Sequence, residues 1–223
     1  MTRKANRSSI IILTVLATLL AGAFALLIAE VEGHDGLARL DPDVASFAAA
    51  HRTGWVTWLA EAVTWLGSSF FLIPMIVVVG GYFVVRQREW TPLIRLSASL
   101  GGAIALYNLG KLLVDRPRPP SRFRVGDVVP GGSFPSGHSA EALAVWGMVT
   151  ILAVGLLTRR RWLPLTGAIA IVLAVGLSRV YLDAHWLTDV LAGYAAGGFW
   201  LTVTIVVILA RGRRRLVIWP QNK

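Results

Sequence analysis

Long, nearly uncharged apolar runs recur down this chain, and no other feature restricts its fold as tightly. They cover about residues 10–29, 67–85, 94–113, 138–157, 163–182 and 187–210. Each is roughly the 20 residues that an α-helix needs to cross ~30 Å of hydrocarbon. Inside a bilayer every backbone N–H and C=O must find a partner within the segment, so runs of this kind become helices. The expected fold is therefore all-α: a six-span transmembrane helical bundle, with residues 1–223 forming one integral-membrane domain. Composition agrees. Hydrophobic residues make up 55% of the chain and charged residues only 15%, against about 25% in soluble domains.

The first run follows Arg3, Lys4 and Arg7, as a signal peptide would, and Ala23-Phe-Ala25 resembles a cleavage site. The run nevertheless continues to Ala29, too long for a signal core, and it is read as a retained span. Residues 30–54 are acidic, carry Gly33, Gly36 and Pro42, and read as a loop with a short interfacial helix. His34 and His51 in this loop are expected to be solvated. Trp55, Trp58 and Trp65 follow at near-helical spacing, which suits a membrane interface. Glu61 among them fits a solvated or interfacial face. The approach segment gives way at Gly67 to the second span. Residues 114–137 are too rich in proline and glycine for a spanning element.

The formal net charge is +10. In a membrane protein such charge fixes orientation, and a nucleic-acid partner is not expected. With six spans, four basic segments share one side: the N-terminus, the Arg86-Arg88-Arg95 loop, Arg159-Arg160-Arg161, and the C-terminal Arg211, Arg213, Arg214 and Arg215. That side is cytoplasmic by the positive-inside rule. The opposite side receives residues 30–54, 114–137 and the turn near 183–188. The 114–137 segment is arginine-rich on the wrong side, which calls for an anionic ligand. Cysteine is absent, so disulfides and thiolate metal sites are excluded.

Polar residues with a chemistry in common sit on that outer side. Lys111 and Arg118 flank the end of the third span; an arginine fork can hold two phosphate oxygens at once. Arg116, Arg122 and Arg124 read as looser rim charges. Pro135-Ser136-Gly137-His138 opens the fourth span, where unpaired backbone N–H groups and the helix dipole favour an anion. Arg179 follows an uncharged stretch in which a lone charge is costly. His185 and Asp189 are four residues apart and would face each other if the last helix has begun by then. A carboxylate on one imidazole nitrogen leaves the other as a reactive lone pair in a fixed tautomer. His185, Asp189, His138 and Asp183 are also metal-ligand types, but cations so near would repel a metal ion.

These clusters, in this order, resemble the type 2 phosphatidic acid phosphatase superfamily, which also holds the vanadium haloperoxidases. Lys111 is followed after six residues by Arg118-Pro119, then by Pro135-Ser136-Gly137-His138, then by Ser178-Arg179 with His185 and Asp189. The resemblance implies roles. His185 would be the nucleophile and form a phosphohistidine, Asp189 would orient it, and His138 would protonate the leaving oxygen. Lys111, Arg118, Ser136, Gly137 and Arg179 would hold the phosphate oxygens, with no metal and no cofactor. Asp183 stands where the family more often has glycine, which leaves the local charge balance open.

The expectation is a lipid phosphatase in the plasma (inner) membrane of a bacterium, acting on a lipid phosphate at the outer, extracytoplasmic interface. A polyprenyl diphosphate is the favoured substrate, with phosphatidylglycerol phosphate and phosphatidic acid as rivals. A vanadate-dependent haloperoxidase and a lipid or anion transporter are the alternatives. Hydropathy argues against the first, because those enzymes are soluble. The scarcity of polar residues at mid-span argues against the second.

Overall fold

Each of the six apolar runs forms a helix. The computed structural model describes residues 7–120, 131–154 and 162–210. Arg3, Lys4, Arg122, Arg124, Arg159, Arg160, Arg161 and the basic C-terminus lie outside the described residues, as do residues 155–157 of the expected fourth span. Among the described residues eight α-helices follow in order: α1 Arg7–Gly33, α2 Asp41–Ala50, α3 Gly54–Thr64, α4 Ser69–Gln87, α5 Thr91–Leu113, α6 Gly137–Val154, α7 Trp162–Tyr181 and α8 Leu187–Ala210. No strand occurs among the described residues.

Five of these helices, α1, α4, α6, α7 and α8, are long and apolar enough to cross a membrane. The sixth long helix, α5, has 23 residues but is less apolar, because it carries Arg95, Asn108 and Lys111. The surface has the inverse of a soluble pattern. Leu19, Phe70, Val78, Val85 and Leu177 are large, apolar and exposed. Such a belt is stable only against lipid.

Residues 30–54 are more helical than expected. α1 runs on to Gly33, a 3-10 turn covers Gly36–Leu40, and α2 and α3 follow. Pro42 explains part of this, since proline is favoured in the first turn of a helix. His34 and His51 are exposed, as expected for solvated loop histidines; each ring bonds a nearby backbone carbonyl, and the His51 ring also packs on Phe47. The break between α3 and α4 falls at Trp65–Gly67, and Ser68 caps α4 by accepting from Phe70 N–H. Trp55, Trp58 and Trp65 are exposed.

α8 lies at the centre, against α1, α5 and α6. It gets close to α6 by shedding side chains: a Cβ at Gly193 would come within 2.8 Å of Ser139 Cβ, and one at Gly197 would strike the Ala140 carbonyl. This small-residue face lets two helix backbones touch, which replaces the hydrophobic drive that is missing between helices in lipid. Leu72, Ile76, Leu96, Leu100, Val145 and Met148 fill the space among α4, α5 and α6. A second cluster, Leu27, Val31, Val114, Phe134 and Ala192, packs under the end of the bundle where α5 stops and α8 starts.

Candidate active site

The C-terminal end of α5, the N-terminal end of α6, the C-terminal end of α7 and the N-terminal end of α8 meet at one end of the bundle. After Leu113 the chain leaves the helix, and Pro117, Pro119 and Pro120 keep it extended. It returns through residues 131–136, where Ser133 N–H donates to the Arg116 carbonyl at 2.8 Å and Ser133 Oγ to the Pro117 carbonyl at 3.1 Å. Ser136 N–H donates to the Asp189 carbonyl at 2.9 Å, tying the start of α6 to the start of α8.

His185 sits in the turn between α7 and α8. Its position there corrects the helical-face reading, because α8 begins only at Leu187. Ala184 and His185 N–H groups fold back onto the Arg179 carbonyl at 3.1 and 3.2 Å. The turn is sharp, and Asp183 takes a positive φ of 50°. That is the left-handed region, which glycine adopts freely and aspartate tolerates better than most residues. Aspartate meets that backbone demand here.

The His185 ring is buried, at 4% exposure. Nδ1 is 2.7 Å from the Ser133 carbonyl and 3.5 Å from Asp189 Oδ2. A carbonyl oxygen only accepts, so Nδ1 carries the proton and Nε2 the lone pair. Asp189 still borders the ring, but the closer partner is a backbone atom that no side-chain motif announces. Burial is the main cause that pushes the His185 pKa down to about 4; Arg179 and Arg118 push the same way, against Asp189. The ring is thus neutral at pH 7.

Arg118 faces that lone pair. Its Nη1 lies 3.4 Å from His185 Nε2 and donates to the Ala184 carbonyl at 2.8 Å. Lys111 Nζ donates to the Gly132 carbonyl, within the electrostatic reach of Arg118 and Asp189. Arg179 is buried; Nη1 donates to Thr64 Oγ1 at 2.9 Å, and Nε makes no hydrogen bond among the described residues. His138 stands in the first turn of α6, one residue past Gly137. Ser136 is fully buried, its Oγ accepting from Ser139 Oγ at 3.0 Å. Gly137 leads α6, directly beside Tyr107 of α5. The three sequence clusters therefore do converge.

Arg116 is not a rim charge. Its guanidinium is largely buried and binds two carboxylates, Asp41 at 2.6 Å and Asp189 at 2.7 Å, and also donates to Thr188 Oγ1 at 2.7 Å. Asp41, at the start of α2, receives Thr188 N–H at 3.0 Å and the Thr188 hydroxyl as well. Asp183 is paired with Arg52 at 2.6 Å, which answers the open charge balance beside His185. Asp41, Arg52, Ser133 and Thr188 were missed from sequence; the only local cue was the density of arginine and proline around Arg116. A cavity of about 450 Å³ opens alongside, between the end of α1 and the start of α2, walled by Asp41, Arg116, Pro117 and Trp186. Its lining does not include Arg118 or His185.

A bundle of lipid-facing helices that gathers histidines and guanidinium groups at one end is the plan of an integral-membrane enzyme for phosphate esters. Residues 92–213 match the PAP2 superfamily, and the chain belongs to it. It is a membrane phosphatase of that family. It is 30% identical over 177 residues to phosphatidylglycerophosphatase B of Bacillus subtilis, covering 78% of this chain and 86% of that protein. Undecaprenyl-diphosphatase of Sulfolobus acidocaldarius is 40% identical over 80 residues, or 36% of this chain and 35% of that one. The crystal structure of a transmembrane PAP2-type phosphatidylglycerolphosphate phosphatase from Bacillus subtilis superposes with a TM-score of 0.80. It is 28% identical in sequence, and the match covers 89% of this chain and 98% of that chain.

Proposed function

We propose that this phosphatase removes a terminal phosphate from a membrane lipid, through a phosphohistidine on His185. The observation that carries the reading is the His185 ring itself. Its Nδ1–H is held by the Ser133 carbonyl and its Nε2 lone pair points at Arg118. In the first step Nε2 bonds to phosphorus, the bond to the lipid oxygen breaks, and His138 gives that oxygen a proton. In the second, His138 takes a proton from water, the oxygen of that water bonds to phosphorus, and the P–N bond breaks to release inorganic phosphate. Asp189 and the Ser133 carbonyl stabilise the imidazolium character that develops on the ring. Lys111, Arg118 and Arg179, with Ser136 and the Gly137 N–H, receive the charge that spreads over the equatorial phosphate oxygens.

The membrane setting selects a lipid substrate, because the site lies at the ends of the apolar helices, at headgroup height. The names of the similar proteins favour a phosphatidylglycerol phosphate or a polyprenyl diphosphate. The first likeness spans most of the chain and the second about a third of it. In this reading α5 is the sixth span, about 34 Å long at 1.5 Å per residue. The Arg86-Arg88-Arg95 end faces the cytoplasm of a bacterium, and the His185 end faces outward. The test is phosphate release from a panel of purified lipid phosphates in detergent, with His185→Ala as blank. Turnover by His185→Ala at the wild-type rate removes the nucleophile assignment. Turnover confined to soluble phosphate esters removes the lipid substrate.

A further inference from the structure

α2 is pinned at both ends to the turn that carries His185. At its first residue, Asp41 takes two hydrogen bonds from Thr188, three residues beyond His185, and an ion pair from Arg116. Just past its last residue, Arg52 donates to the Tyr181 carbonyl at 2.7 Å and to Asp183 Oδ2 at 2.6 Å. Asp183 lies two residues before His185. The anchoring groups Asp41, Asp183 and Thr188 are all at most 2% exposed. A surface helix fixed by one contact can swing. A helix about 15 Å long, fixed by charged groups at both ends, cannot move without stretching the turn beneath it.

We propose that α2 is a strap, and that Asp41 at its first residue and Arg52 just beyond its last are positioning residues for the phosphatase reaction. Neither touches the reacting atoms. Asp41 acts through Thr188 and through Arg116, which also holds Asp189 Oδ1; Asp189 Oδ2 in turn borders His185 Nδ1 and accepts Trp186 N–H at 2.9 Å. Arg52 acts through Asp183 and the Tyr181 carbonyl, which set the strained half of the same turn. The Asp189 carboxylate is therefore aimed by a partner 148 residues away in the chain. At each end a guanidinium fork bridges two groups, Asp183 and the Tyr181 carbonyl for Arg52, Asp41 and Asp189 for Arg116, which fixes direction as well as distance. Buried ion pairs contribute little net stability, so their worth here is geometric.

The inference rests on His185 being the attacking group, and the experiment separates the two. Full-length protein in detergent is assayed with dioctanoyl phosphatidylglycerol phosphate as the probe, with kcat, KM and thermal unfolding measured for each variant. Asp41→Asn is expected to lower kcat about tenfold or more, because small misplacements of reacting groups are costly, with KM held within about threefold. Arg52→Lys, which keeps the charge but loses the fork, is expected to lower kcat about threefold to tenfold, with KM unchanged. Asp43→Asn, on the exposed face of the same helix, is expected to match wild type. The double variant is expected to lose less than the product of the two single losses, because both act on one turn. If Asp41→Asn yields no folded protein, Arg52→Lys decides alone. Wild-type kcat in both variants, or a loss confined to KM, overturns the strap. An inert His185→Ala beside an unaffected Asp41→Asn overturns the strap only; an active His185→Ala overturns the reading beneath it.

Discussion

Carboxylates are buried in two places in this molecule, and the two are handled in opposite ways. At the rim Asp41, Asp183 and Asp189 are each paired with an arginine, at 2.6 to 2.7 Å. Inside the bundle Glu141 is 4% exposed, and it accepts from the hydroxyl of Ser69 on α4. It lies one turn into α6 from His138. The difference shows where ionic chemistry is supported. Guanidinium forks hold the rim carboxylates as fixed charges in a defined direction, which a phosphoryl-transfer centre needs. Among the described residues no ion pair reaches Glu141, and a neutral hydroxyl donates to it. Reaction at the rim and structure in the interior is the division that these pairings describe.

Removing the proposed nucleophile is the hardest test of that division. His185→Ala is expected to lose about 10³-fold or more in kcat, with no acid-labile phosphoenzyme after incubation with labelled substrate. Retained turnover would move the reaction away from the rim altogether. Arg118→Ala comes next, at about 10²–10³-fold, the loss typical of one donor to a developing oxyanion. The loss is expected in kcat. A loss in KM alone would mean that Arg118 binds the ground state and the transition state equally well.

The pH dependence sharpens the same contrast at one residue. The His185 pKa is pushed from 6.5 down to about 4, chiefly by burial. The free base needed for attack therefore persists as pH falls, and His185 contributes no acid limb to kcat/KM until about pH 4. The linkage has a definite sign. Below pH 6.5 the unfolded chain takes up a proton that the folded ring refuses, so the contribution of His185 to stability is complete above 6.5 and is lost as pH falls toward 4. Thermal unfolding of wild type against His185→Gln between pH 7 and pH 4 reads this difference. A wild-type acid limb near 6.5, with no pH-dependent stability difference between wild type and His185→Gln, would leave the His185 pKa at its ordinary value.

The residues that could be read from sequence are those whose chemistry is local. Six runs of apolar residues dictate helices because lipid leaves no other conformation satisfied. Lys111, Arg118, His138, Arg179, His185 and Asp189 stand out because charge next to such runs needs a reason. Asp41 does not stand out. It opens a short helix in an acidic loop, and its partner Arg116 lies 75 residues further on, so nothing local tells a strap from a solvated turn. Ser133 was hidden for a different reason: it acts through its carbonyl, and any residue has one. Arg116 was misjudged because, among several arginines near prolines, sequence cannot tell which is turned inward. Asp183 was legible as an anomaly, and only the left-handed turn and Arg52 explain it.

The mildest change tests the interior half of the comparison. Glu141→Gln keeps the size and one carbonyl oxygen of the side chain, so Ser69 can still donate to it. The expected kcat is within about threefold of wild type, the range in which no interaction special to the transition state has been lost. Glu141→Leu strands the Ser69 hydroxyl and is expected to cost about 1–3 kcal/mol of stability in detergent, again with little change in kcat once folded. Thermal unfolding and kcat, measured on both variants, separate the two effects. A fall in kcat for Glu141→Gln as large as that of Arg118→Ala would break the comparison. It would mean that a carboxyl held by the Ser69 hydroxyl, one turn from His138, exchanges protons with the reaction, and that the working site reaches into the bundle beyond its charged rim.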